Sequence, residues 1–307
     1  MGSGHGHAHD GLTATGRHRR RLAMVMGITA GIAAAEVAGA VVSGSLVLLA
    51  DAAHMAADAA GVGLSVLAAL IAARPAGGRR TFGYARAEIL AATVNALLLL
   101  GLATFILVEA AQRISAPPGV GSGLMLVFGF VALAGNGASL FALRHGQSES
   151  LNVRGAFLEV ASDMLGAGAV IISGAVIATT GFDLIDPLAS IGVAVLILPR
   201  TWRLLREAVD VLLEASPRGI DLGEVRAHLT AQDGVKDVHD LHAWTITSGL
   251  PVLSAHVVVD PALLGAGCGA GILDRLQECL RGHFDVDHST FQIEPAGHAA
   301  HEPSVHE

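Results

Sequence analysis

The chain has 307 residues, of which 52% are hydrophobic and only 15% charged, with a mean hydropathy of +0.57. That balance is too apolar for an ordinary soluble domain and predicts a membrane protein with a smaller soluble part. The net charge of −8 argues against nucleic acid as a partner, and two cysteines without CxxC spacing argue against a disulfide framework.

The chain opens on GHGHAHDG at residues 4–11, where His5, His7 and His9 alternate with small residues. This segment reads either as loose, exchangeable metal capture or as a solvated tail. A basic cluster (Arg17, Arg19, Arg20, Arg21) follows, and then the first apolar run. That run is long enough to span and lacks a cleavage region, so it reads as a membrane helix and not as a leader. A spanning helix needs about 20 mainly apolar residues. Six stretches qualify: residues 22–42, 46–73, 87–110, 122–143, 152–179 and 184–198. Turn-forming breaks separate them at SGS (43–45), RPAGGRR (74–80) and SAPPGVGSG (115–123).

Arginines then set the orientation. Those of the N-terminal cluster, of the second-to-third connection (Arg74, Arg79, Arg80, Arg86), of the fourth-to-fifth (Arg144, Arg154) and after the sixth span (Arg200, Arg203, Arg206) fall on one side. The other side offers only Arg113. The positive-inside rule makes both termini cytoplasmic.

From about Glu214 the texture becomes that of a soluble domain. Residues 221–232 and 273–284 read as helices, and 235–247, 251–260 and 289–294 as strands. Regular alternation would put His239 and His242 on opposite faces of their strand. The expected fold is an all-α membrane domain of six transmembrane helices (residues 21–210) plus a small cytoplasmic α+β ferredoxin-like domain (211–295). Residues 1–20 are expected to be a flexible, His-containing cytoplasmic tail and residues 296–307 a disordered one.

An ionisable group at the bilayer centre costs roughly 2.5–3.5 kcal/mol even on lenient insertion scales. The second span nonetheless carries Asp51, His54 and Asp58 on one helical face, and the fifth carries Glu159 and Asp163 at i, i+4. Turned toward each other, the two faces would offer His54, Asp58, Glu159 and Asp163 as a four-ligand shell for a divalent cation. The cation would in turn neutralise the buried charges. The bland reading is that these groups hydrogen-bond between helices and lock the bundle. Asp51 reads either as a supporting carboxylate or proton acceptor, or as a helix contact. Glu36, Glu88 and Asn95 are further polar positions on neighbouring spans.

Metal binding requires a neutral imidazole and ionised carboxylates, so it competes with protons for the same atoms. No GxxxxGK[ST] is present to couple ATP, and no HExxH suggests an intramembrane metalloenzyme.

The stretches SGSLVLLADAAHMAAD (43–58), TFGYARAEILAATVNALLLL (81–100), LNVRGAFLEVASDMLGA (151–167), the Asp186-Pro187 pair and VHDLHAWTITSG (238–249) resemble the cation diffusion facilitator family, especially its bacterial zinc, cadmium and cobalt exporters. The resemblance implies a homodimer in the cell inner membrane that exports divalent metal, Zn²⁺ first, in exchange for protons. It implies a transport site of HxxxD or DxxxD on the second helix and HxxxD on the fifth. His54, Asp58 and Asp163 match; Glu159 stands where the zinc transporters usually have histidine. A further carboxylate hardens the site and raises its formal ligand charge from −2 to −3, which brings Fe²⁺, Co²⁺ and Mn²⁺ into consideration beside Zn²⁺ and Cd²⁺.

In the cytoplasmic domain the resemblance implies dimerisation and, in some relatives, bound zinc. His239 and His256 match ligands there, and Glu294 or His288 could complete the set. The alternative is ordinary strand packing. Arg86 and Glu214 match a charge interlock at the base of the third helix, with Asp210 as a neighbouring candidate. RPAGGRR has no histidine or acid, so the loop metal site of some relatives is expected to be absent. A membrane sensor that binds metal without moving it is the competing function.

Overall fold

A computed structural model describes residues 14–144, 151–265 and 269–298. His5, His7 and His9, and most of the C-terminal tail, lie outside the described residues. Six long helices come first: α1 (Ala14–Ser43), α2 (Leu46–Ala72), α3 (Ala87–Ser115), α4 (Ser122–Leu143), α5 (Leu151–Thr180) and α6 (Ile185–Leu212). Each contains a segment long and apolar enough to cross a membrane. The chain is a multi-pass membrane protein.

The ends differ from the sequence reading in two places. Helix α1 starts at Ala14, within the stretch expected to be a flexible tail. Helix α6 does not stop at residue 198 but continues through Pro199 to Leu212. Proline removes one backbone donor, yet the first residues after it (Arg200, Thr201, Trp202, Arg203, Leu204, Leu205) are acceptable helix formers, and one lost bond does not end the helix. The chain turns out of the helix at Glu214, which adopts φ +58°. Backbone bonds from Ala215 N to Asp210 O and from Glu214 N to Val211 O close it in a Schellman arrangement.

Two compact units result. One holds the chain through Val66 together with Val94–Leu204, and the other holds Leu67–Thr93 and the chain from Leu205 on. In the first unit, Ala40, Leu46–Leu48, Ile106, Met125, Val170 and Ala194 form an apolar core drawn from all six helices. Outward-facing Leu97, Leu98, Phe105, Phe130, Leu165 and Leu196 are exposed, as lipid-facing side chains should be. Glycine allows close packing where it matters: a Cβ on Gly129 would come within 2.8 Å of Ile171 Cγ1.

The N-terminus of α2 is held from a distance. Asp186, fully buried at the start of α6, accepts from Ser45 Oγ (2.5 Å), Leu46 N (2.7 Å) and Val47 N (3.3 Å). The two backbone donors have no helical partner, and the carboxylate both satisfies them and complements the helix dipole. This gives the Asp-Pro pair a physical task, which is to set the position of the helix carrying His54 and Asp58.

The second unit has α7 (Leu222–Thr230), β1 (Val235–Thr245), β2 (Pro251–Val259), the short α8 (Pro261–Gly265), α9 (Gly269–Phe284) and β3 (His288–Pro295). The strand order is β1-β2-β3, with β2 antiparallel to β1 and parallel to β3. Asp221 caps α7 by accepting from Gly223 N (2.7 Å) and Glu224 N (3.3 Å). Alternate residues Leu253, Ala255, Val257 and Val259 of β2 pack with Val225, Leu229, Ile272, Leu276 and Leu280 of α7 and α9. The helices therefore cover one sheet face, and Ser254 and His256 belong to the other.

Candidate metal centre

Helical spacing does much of the construction in the bundle. His54 and Asp58, four apart on α2, approach to 3.4 Å between Nε2 and Oδ2. Glu159 on α5 joins them: the three side chains offer ligand atoms all within 4.8 Å of one another. Tetrahedral zinc with ligands at about 2.0–2.2 Å sets them roughly 3.3–3.6 Å apart, so small side-chain rotations suffice to close on an ion.

Asp163 is buried one turn along α5 but is not part of that trio. Its Oδ1 is buried without a hydrogen-bond partner, as is Nδ1 of His54. A membrane interior has no water to meet such groups, and a cation between the two helices would supply what they lack.

Glu159 has a partner that the sequence reading assigned elsewhere. Arg200, just past Pro199 on α6, binds it through both guanidinium nitrogens, Nη1–Oε1 at 3.1 Å and Nη2–Oε2 at 2.8 Å. In sequence Arg200 counted only toward orientation; no local pattern links it to a residue 41 positions earlier. The pairing changes the charge count. With Glu159, Asp58 and Asp163 ionised the ligands carry −3, and Arg200 returns the surroundings to −2.

Asp51 lies against α5 at Gly166, where any Cβ would overlap its carboxylate. Asp51 and Glu36 of α1 are both buried and lie within electrostatic reach of each other and of Asp163. On α3, Asn95 meets Gly61 of α2, where a Cβ would come 2.5 Å from Nδ2.

The soluble unit carries a separate cluster on its open sheet face. His239 Nε2 lies 2.6 Å from Glu294 Oε1, and the His239 and His256 rings meet edge-on at 5.1 Å. All three offer ligand atoms within 4.8 Å. Burial pushes the Glu294 carboxyl up, but the hydrogen bonds from His239 and Gln292 together with the nearby His239 and His256 imidazoles outweigh it and hold the group below the usual carboxylate range.

Two sequence expectations change here. His288 is not in the cluster; it starts β3 opposite Val252, and its ring rests edge-on against Phe82 at 5.6 Å. At about 3.3 Å per residue it is roughly 20 Å along the strand from Glu294. His239 and His242 are not on opposite faces either. His239 pairs with His256 and His242 with Ser254, so three steps on β1 match two on β2. This bulge, with Asp240 at φ +48°, brings both histidines to one face. Asp240, which the sequence reading passed over, sits 2.9 Å from His242 Nε2 and 3.6 Å from His256 Nε2.

Arg86 Nη2 and Glu214 Oε1 are 2.7 Å apart, in an exposed pair. Asp210 instead faces Arg218 at 3.3 Å. Glu88 accepts from Thr247 Oγ1 at 2.8 Å.

Comparison with known proteins agrees with this architecture. The family model described as the cation efflux transmembrane domain matches residues 22–213, and that of the cation efflux protein cytoplasmic domain matches residues 217–296. The chain belongs to the cation diffusion facilitator family, whose members are metal-cation transporters and not enzymes. Among its relatives is the metal cation efflux system protein CzcD of Cupriavidus metallidurans, 43% identical over 296 residues, covering 96% of this chain and 91% of that protein. The zinc transporter ZitB of Escherichia coli is 38% identical over 296 residues (96% and 93%). The cadmium, cobalt and zinc/H⁺–K⁺ antiporter of Bacillus subtilis is 35% identical over 295 residues (95% and 93%). A solved structure of the metal-bound C-terminal domain of CzcD is 41% identical, covers 24% of this chain and 99% of that one, and superposes with a TM-score of 0.22.

Proposed function

We propose that this exporter moves divalent cations, zinc first, out of the cytoplasm in exchange for protons, using His54, Asp58, Glu159 and Asp163. It works as a homodimer in the cell inner membrane with both termini cytoplasmic. The observation that carries this reading is the meeting of His54, Asp58 and Glu159, from two different spanning helices, within 4.8 Å in an apolar bundle. Relatives named for zinc, cadmium and cobalt support the cargo class.

The chemistry follows from the donor set. A cation binds when the imidazole is neutral and the carboxylates are ionised, so loading releases protons and reprotonation expels the ion. Arg200 is the resident cation at Glu159. An incoming metal either displaces the guanidinium or binds His54, Asp58 and Asp163 with Glu159 held aside. Each route keeps the buried charge of the loaded site near balance.

Zinc flux into proteoliposomes across an imposed pH gradient tests this. An antiporter accumulates zinc against its gradient when protons run the other way. Binding without movement would make the protein a sensor, and movement only down the zinc gradient would make it a channel.

A further inference from the structure

We infer that the soluble unit carries a separate, sulfur-containing metal site formed by His228, Cys279 and His283, suited to a soft or borderline cation such as Zn²⁺, Cd²⁺ or Co²⁺. His228 comes from α7, and Cys279 and His283 from α9, where i, i+4 spacing puts them on one face. The three offer ligand atoms all within 4.8 Å of one another, and the two imidazole centroids lie 4.8 Å apart. Tetrahedral zinc with Zn–S at about 2.3 Å and Zn–N at about 2.0–2.1 Å sets ligands roughly 3.5 Å apart. The contraction needed is at most about 1.3 Å. Both histidines are exposed, while the Cys279 side chain is buried.

His283 is already prepared as a ligand. Its Nδ1 lies 3.1 Å from the Cys279 carbonyl, which can only accept, so Nδ1 carries the proton and Nε2 keeps its lone pair. The Phe284 ring meets His228 edge-on at 5.2 Å and limits how that imidazole can swing. Burial raises the Cys279 thiol, so the free protein holds it protonated, and a metal would displace that proton. Three protein ligands leave a fourth position for water, the pattern of an exchangeable site.

The site differs in place and in chemistry from the others. It lies in the helix layer, whereas His239, His256 and Glu294 occupy the open face of the sheet. Its thiolate selects against hard cations such as Mg²⁺ and Mn²⁺, which the carboxylate-rich bundle does not. An ion here would tie α7 to α9.

Titrating the full-length protein in detergent with Co²⁺ tests this, because a thiolate-to-cobalt charge-transfer band arises only where sulfur is a ligand. The band should grow during the titration and level off at one thiolate-bound Co²⁺ per chain. It should vanish in Cys279→Ser, persist in Cys268→Ser, and need at least about tenfold more Co²⁺ in His228→Gln or His283→Gln. The two histidines are exposed, so their variants remain folded and informative even if Cys279→Ser does not. No band, a band that follows Cys268, or a band indifferent to both histidine changes would overturn the site. The inference is independent of the transport reading: His54→Ala should leave the band unchanged whether or not flux is lost.

Discussion

Glu159 and Arg200 show how far single residues could be read in advance. Same-face spacing made His54 with Asp58, and Glu159 with Asp163, visible in the sequence, because a helix brings i and i+4 together by geometry alone. The guanidinium was hidden for the opposite reason: its contact depends on how α5 packs against α6. It also compensates for the extra carboxylate that the sequence reading counted as unbalanced. Arg200→Gln should therefore leave a more negative site that binds metal more tightly and releases it more slowly. Steady-state zinc transport should show a lower KM together with a several-fold lower kcat; unchanged values of both would mean that Arg200 stands apart from the cargo. Glu159→His should move preference toward zinc and away from Mn²⁺ and Fe²⁺, measured by competition in the same flux assay. Unaltered selectivity would show that Glu159 does not contact the ion.

At the scale of elements, length and hydropathy located all six spans, and turn residues located most of their ends. The sixth span was the exception: α6 runs on through Pro199 to Leu212, because a proline inside a helix removes one hydrogen bond without necessarily stopping it. The β1 bulge was equally hidden, since HDLH alternates as well as any strand and only the pairing with β2 shows the extra residue. The close of α6 offers a test of energies. Glu214 sits at φ +58°, a conformation costing roughly 1–2 kcal/mol for a residue with a side chain, while its exposed pair with Arg86 is worth about 0–1 kcal/mol. Glu214→Gly should accordingly be neutral or stabilising by up to about 1 kcal/mol in thermal unfolding, despite losing the ion pair. Clear destabilisation would show the Arg86 contact to be stronger than an exposed pair should be.

For the whole molecule, composition and hydropathy were enough to predict a membrane bundle followed by a soluble α+β domain, and the family matches over residues 22–213 and 217–296 agree. Cargo identity was less legible because selectivity depends on distances and charge balance among side chains from different helices. Asp163 shows this: its sequence position resembles that of a ligand, yet in this conformation it lies outside the trio, with a buried oxygen unsatisfied. Loading the site should draw it in. The most direct check is anomalous scattering at the zinc edge from the zinc-loaded protein. The account predicts a peak between α2 and α5, within bonding distance of His54 and Asp58 on one side and of Glu159 or Asp163 on the other. A zinc-transporting protein with no peak between those helices would contradict it.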